Sequence, residues 1–171
     1  MNKDQPLFIL DTNVFIQAHR RYYAQGICPG FWEFLTHYSR EGWVLSIDRV
    51  RGEILRPKAL VEWVSHAPDQ LFVSSAEPPV IAAYAEMVNW VQENERFRTE
   101  AKAEFARVAD GWLVAYARVH NVVVVTQEVF NADVKKRVPL PNVCREFGVE
   151  YRDTFGMLRE LEVRFDWRRP E

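Results

Sequence analysis

Cysteine is scarce in this 171-residue chain: Cys28 and Cys144 are the only two, far apart and without CxxC spacing. That excludes a disulfide framework and a cysteine-based zinc cluster, and suits two reduced thiols. The seven glycines form neither GxxxxGK[ST] nor GxGxxG, so no glycine loop cradles a nucleotide phosphate. His19, His37, His66 and His120 fall in no HExxH or other metal spacing, and are read as non-ligands. No apolar run approaches the roughly 20 residues of a membrane span, and the N-terminus lacks the charged and apolar regions of a signal peptide. A cytoplasmic location without membrane contact is the expectation. Charge of one sign is also missing: 22 Lys plus Arg stand against 24 Asp plus Glu, a net charge of -2. A polyanion would have to be held by a local basic patch.

What is present is apolar and aromatic, at 48% and 13% of residues, enough for one folded domain over residues 1–171. Short apolar runs alternate with helical spacing. Strands are predicted at 7–10, 43–47, 71–75, 122–126 and 149–151. Helical patterns fill the intervals, with Pro78 and Pro79 in a first turn where a missing N–H is tolerated. The "VVVVT" run, Val122 to Thr126, reads as a strand buried on both faces, at the sheet centre. With no repeat, linker or low-complexity tract, the order predicts an α/β class and a single α/β/α domain with a central, mainly parallel sheet.

In such sheets functional groups gather beyond the carboxyl ends of the strands. Asp11 ends the first strand in "FILDTNVFI", Glu53 lies in the helix after the second, Asp110 starts a helix before "VVVVT", and Glu128 follows that strand. Each has an ordinary reading alone: Asp11 and Asp110 as helix N-caps, Glu53 as a solvated helix residue, Glu128 as a loop residue. Together at one edge they would repel one another unless a divalent cation neutralised them, and an all-oxygen set suits Mg²⁺ or Mn²⁺.

The motifs then resemble those of the PIN-domain nucleases. "LDTNVF" at Leu10 to Phe15 is similar to their opening motif, Glu53 to their second acid, "ADGWLVAYARVHN" at Ala109 to Asn121 to their third-acid helix, and "VVVTQEVF" at Val123 to Phe130 to their closing strand. "YYAQGICPGFWEFL" and "KKRVPLPNVCREFGV" resemble a less characterised prokaryotic subfamily close to the VapC-type toxins. The resemblance implies a PIN-like three-layer α/β/α sandwich and a metal-dependent endoribonuclease, with Asp11, Glu53, Asp110 and Glu128 as catalytic acids and ligands of Mg²⁺ or Mn²⁺. Glu128 stands where the family more often has Asp, which leaves direct and water-mediated ligation both open. Asn13 and Thr126 match polar positions that support the ligands. It further implies a toxin of a toxin–antitoxin pair, with a cognate antitoxin and a homodimer. A PIN-like RNA- or protein-binding module with weak or no cleavage is the competing function.

An acidic centre needs cations around it to grip RNA. Arg20 and Arg21 beside Tyr22 and Tyr23, Arg49 and Arg51 in the Glu53 helix, and Lys135, Lys136 and Arg137 after the closing strand are the substrate-binding candidates, each also readable as a solvated face. The rings of Tyr22, Tyr23, Phe31, Trp32 and Phe34 suit an interface or the core. The charged tail "FDWRRPE" could dock a partner.

Overall fold

A computed structural model of the chain describes residues 7–166. The end of the charged tail, residues 167–171, lies outside them. The chain alternates strands β1 (Phe8–Leu10), β2 (Val44–Ile47), β3 (Phe72–Val73), β4 (Val123–Val125) and β5 (Tyr151–Arg152) with nine α-helices among the described residues. These are α1 (Thr12–Gln17), α2 (Pro29–Arg40), α3 (Asp48–Glu53), α4 (Lys58–His66), α5 (Pro78–Glu93), α6 (Thr99–Arg107), α7 (Asp110–His120), α8 (Leu140–Glu146) and α9 (Thr154–Glu160).

All four strand pairings are parallel, in the order β3-β2-β1-β4-β5. Phe8, Ile9 and Leu10 are fully buried, as are Val124 and Val125, because parallel crossovers lay helices over both faces of the sheet. The result is the PIN-like three-layer α/β/α sandwich with a parallel sheet. The chain runs from β1 outward through β2 to β3 on one side, and from β4 to β5 on the other. The order therefore reverses between β1 and β4, which makes the gap beyond their carboxyl ends the crevice where ligands of such sheets bind.

The central strand is β1, not the valine run, which lies one place off centre with both its edges paired. Asn121 stops α7 in the left-handed conformation, φ 53°, and the Val122 N–H returns to the Ala117 carbonyl at 3.0 Å. Val122 is thereby withdrawn from β4. The strand predicted at 71–75 shrinks to two residues for a similar reason. The Asp69–Leu71 segment winds into a 3₁₀ turn, and the Ser75 N–H donates to the Asp48 carboxylate at 3.1 Å. At 149–151 the strand shifts forward: the Val149 N–H closes on the Cys144 carbonyl at 2.8 Å after Gly148 turns with φ 66°.

The helix expected from Val14 onward is regular only to Gln17. It then widens into a π-turn, Ala18–Tyr22, with the Tyr23 N–H reaching the Ala18 carbonyl five residues back at 3.0 Å. Of the early rings, Phe31, Trp32 and Phe34 are core residues, Tyr23 is half-buried and Tyr22 is 61% exposed. Core packing absorbs three of the five rings considered for an interface. No helix among the described residues is long and apolar enough to cross a membrane.

Candidate active site

The crevice beyond β1 and β4 is a cavity of about 280 Å³ whose lining includes Asp11, Thr12, Asn13, Glu53, Glu104, Asp110, Glu128 and Arg137. All four acids picked out in the sequence reach it. Their surroundings differ, and those differences decide what each can do.

Asp11 is 2% exposed. It occupies the N-cap position of α1, yet its side chain makes no capping hydrogen bond; the Thr126 hydroxyl donates to its Oδ2 at 3.0 Å instead. Its backbone is also fixed, with the N–H on the Val125 carbonyl at 3.0 Å. Of the two readings open in the sequence, the cap therefore fails. Burial pushes the Asp11 carboxyl up from 3.8 to about 7, with the charges of Glu128 and Glu53 adding to the rise, against the Thr126 hydroxyl and the nearby Asn13 amide. Asp110 is the first residue of α7, one past the N-cap position, which Ala109 holds. Desolvation, then the charges of Asp11, Glu128, Glu53 and Glu104, hold it well above the ordinary carboxylate range. Two desolvated acids that repel each other lack a counter-charge.

The two glutamates are already engaged. Glu53, the last residue of α3, accepts from the Thr12 hydroxyl at Oε2 and from the Ala109 N–H at Oε1, 2.7 Å. It thus ties α1 to the turn before α7. Glu128 accepts from the Leu140 N–H at 2.8 Å, and its other oxygen lies 3.5 Å from Arg137. Thr126 joins the pieces, giving its proton to Asp11 and accepting from the Glu128 N–H at 3.1 Å. As placed, no three acid, histidine or cysteine side chains among the described residues stand within reach of one ion. The donor chemistry nonetheless fits a hard divalent cation: carboxylate oxygens only, two of them desolvated and under mutual repulsion. Cys144 is buried close by, and burial followed by the Asp11 charge pushes its thiol far up, so it stays protonated and inert.

A stack of side chains holds α3 against α7. The Arg49 guanidinium lies 3.7 Å from the Trp112 ring centroid, Trp112 stacks on Tyr84 at 3.9 Å, and the Tyr84 hydroxyl donates to the Ala106 carbonyl at 3.1 Å. Arg49 also donates to Ser75 at 3.1 Å, which Asp48 holds in turn at 2.7 Å. Arg49 sits one turn before Glu53 and Trp112 two residues after Asp110. The stack therefore sets the distance between the helices that carry those acids.

Of the substrate-binding candidates, Arg137 alone lines the crevice. Arg20, Arg21, Lys135 and Lys136 are exposed outside it, and Arg51 is exposed with its guanidinium 5.9 Å from the Phe72 ring. Arg49, weighed for RNA contact, is used by Trp112 and Ser75. The sequence reading missed Thr12, although it stands inside "DTN", and Glu104. Glu104 is exposed on α6 and paired with Arg107, and no motif marked it because only the fold brings α6 to this edge.

A parallel, doubly wound sheet with carboxylates at its topological switch point makes this a three-layer α/β protein with a polar crevice. Within that class, the chain belongs to the family described as a domain of unknown function, DUF4411, which it matches over residues 8–165. No curated protein matches the sequence. A solved structure, that of FitAB bound to an IR36 DNA fragment, is similar at 16% identity and a TM-score of 0.48, over 86% of this chain and 94% of that chain.

Proposed function

We propose that the crevice is the active site of a metal-dependent endoribonuclease. The observation that carries this reading is the desolvated, mutually repelling pair Asp11 and Asp110 at the switch point of the sheet, with Glu53 and Glu128 on the same cavity. Asp11, Asp110, Glu53 and Glu128 would hold Mg²⁺ or Mn²⁺, Glu128 either directly or through water. Bound there, the ion supplies a water nucleophile at neutral pH and charge stabilisation at the scissile phosphate. The protein's own part is positioning. Thr126 orients the Asp11 carboxylate, Thr12 and the Ala109 amide orient Glu53, Asn13 adds a polar group to the wall, and Arg137 offers a guanidinium to a phosphate oxygen. Lys135 and Lys136 extend that cationic rim for the RNA backbone.

The finer form of the reading is a VapC-like toxin acting in the cytoplasm, held by a cognate antitoxin and pairing as a homodimer. The second reading, a binding module with weak or no cleavage, draws on the full engagement of the Glu53 and Glu128 oxygens by the protein itself. Calorimetric titration with Mn²⁺ separates the two. Wild type should bind, Asp11→Asn and Asp110→Asn should lose most of the affinity while remaining folded, and RNA incubated with wild type should acquire 5′-phosphate ends. Equal Mn²⁺ affinity in all three proteins would remove the metal site. For the toxin form, expression alone should slow growth, Asp11→Asn should not, and the adjacent open reading frame should restore growth.

A further inference from the structure

The aromatic cluster outside the crevice is built unlike a core. Tyr23 stacks on the fully buried Phe31 at 4.3 Å and 8° between planes, and its carbonyl accepts from the Trp32 ring N–H at 2.6 Å. On this fixed base stand three outward rings, of which Phe165, 38% exposed, packs against Tyr23 at 5.9 Å. Tyr22 is 61% exposed and Phe155 40% exposed, packed edge to face with centroids 5.9 Å apart; Phe155 also packs against Tyr23 at 6.4 Å. Three exposed cations flank the pair: Arg20 and Arg21, just before Tyr22, and Arg159, one helical turn beyond Phe155. None of the three is bonded to a carboxylate among the described residues, whereas Arg107, Arg118, Arg137 and Arg152 are paired.

The cluster is also joined to the crevice. Phe155 lies in the first turn of α9, directly beyond the carboxyl end of β5, where Asp153 caps the helix through the Gly156 N–H at 2.6 Å. The neighbouring Thr154 hydroxyl accepts from the Gln127 side chain at 2.6 Å, and Gln127 stands between Thr126 and Glu128. β5 is two strands from β1, which places this point roughly 10 Å from the end of β1 along the same edge of the sheet. Partly exposed rings, cations unpaired with carboxylates among the described residues, and a short path to the proposed cleaving centre are what single-stranded nucleic acid needs: bases stack, and the backbone is neutralised beside them.

We propose that Tyr22 and Phe155, with Arg20, Arg21 and Arg159, form a stacking platform for a base of single-stranded RNA lying next to the crevice. This deepens the nuclease reading and rests on it for the RNA's path, but its test needs no metal. A fluorescein-labelled RNA deca-adenylate is titrated in EDTA with the full chain, and anisotropy reports Kd. The double variant Tyr22→Ala, Phe155→Ala should raise Kd by about tenfold or more, since each base stacked on an aromatic ring contributes at that level. Tyr22→Phe should keep the wild-type Kd, and Arg20→Gln with Arg21→Gln should lower the salt dependence. An unchanged Kd in the double alanine variant overturns the platform. So does a Tyr22→Phe loss as large as that of Tyr22→Ala, or no binding by wild type. If the alanine pair alters the molecular mass by light scattering and leaves Kd alone, the rings serve a protein interface and the proposal is wrong. Ring-dependent binding in a chain that neither binds Mn²⁺ nor cleaves RNA would support the platform while the nuclease reading fails.

Discussion

Asp11 sets burial against charge. It is buried among carboxylates and titrates near pH 7 when folded, against about 3.9 in an unfolded chain. Between those values the folded state binds more protons than the unfolded one, so stability falls as pH rises through the window and levels off above it. Asp110, raised for the same reasons in the same order of burial and then neighbouring charge, pulls in the same direction. Asp11→Asn keeps an oxygen for the Thr126 hydroxyl and removes the charge. In metal-free protein its Tm should therefore exceed wild type at pH 8 by roughly 3 °C or more, and by much less at pH 4. Added Mn²⁺ should close the gap at pH 8 by stabilising wild type alone. Equal Tm differences at both pH values would mean the carboxyl is not desolvated in solution. The residue scale also marks what sequence could convey. Asp11 and Asp110 were legible because strand ends and helix starts are legible, whereas Thr126, which donates to Asp11, was implied only by the resemblance of the motifs. The engagement of Glu53 by Thr12 and Ala109 was not, because side-chain rotamers and a backbone donor 56 residues away leave no local pattern.

At the scale of elements, α3 and α7 must be held at one separation for Glu53 and Asp110 to share a cavity, and Gly111 shows how tightly. A Cβ there would lie 2.8 Å from the Phe105 ring and 2.9 Å from Tyr84. Phe105 is 2% exposed, and Tyr84 is pinned between Trp112 and the Ala106 carbonyl, so neither ring can move freely. Ala should gain about 1 kcal/mol in helix propensity over Gly, but overpacking a closed site costs about 1–3 kcal/mol. Strain should win. Gly111→Ala is expected to lower Tm, and to weaken Mn²⁺ binding as Asp110 is displaced. A Tm at or above wild type would show that the Tyr84–Trp112 stack yields easily. The break between α6 and α7 falls at Val108 and Ala109, which puts Gly111 in the first turn of α7. Its steric role depends on rings from α5 and α6. Element boundaries failed where backbone N–H groups left the ladder for another partner, a nearby carbonyl at Val122 and Val149 and the Asp48 carboxylate, 27 residues away, at Ser75. Element order survived, because apolar runs and turn residues determine it without reference to neighbours.

For the whole molecule, a net charge of -2 means that any hold on RNA depends on where the cations stand. Lys135, Lys136 and Arg137 are consecutive and exposed, and of the three only Arg137 lines the cavity, 3.5 Å from Glu128. Arg49 carries the same formal charge and is also exposed, yet it is spent on Trp112 and Ser75. Placement, not charge count, should therefore govern binding. For a single strand, every phosphate that a cation no longer neutralises reduces the slope of log K against log salt by about 0.7. The triple variant Lys135→Ala, Lys136→Ala, Arg137→Ala should flatten that slope by roughly 0.7 for every one of the three that touches the backbone, and Arg137→Gln alone by roughly 0.7. Arg49→Gln removes the same formal charge and should leave the slope unchanged. The comparison is made by anisotropy with one labelled RNA in EDTA across a salt series, so that carboxylate–metal chemistry plays no part. If Arg49→Gln and Arg137→Gln flatten the slope equally, RNA responds to the overall field of the protein and not to cations placed at the crevice, and the cationic rim has no role in positioning the strand.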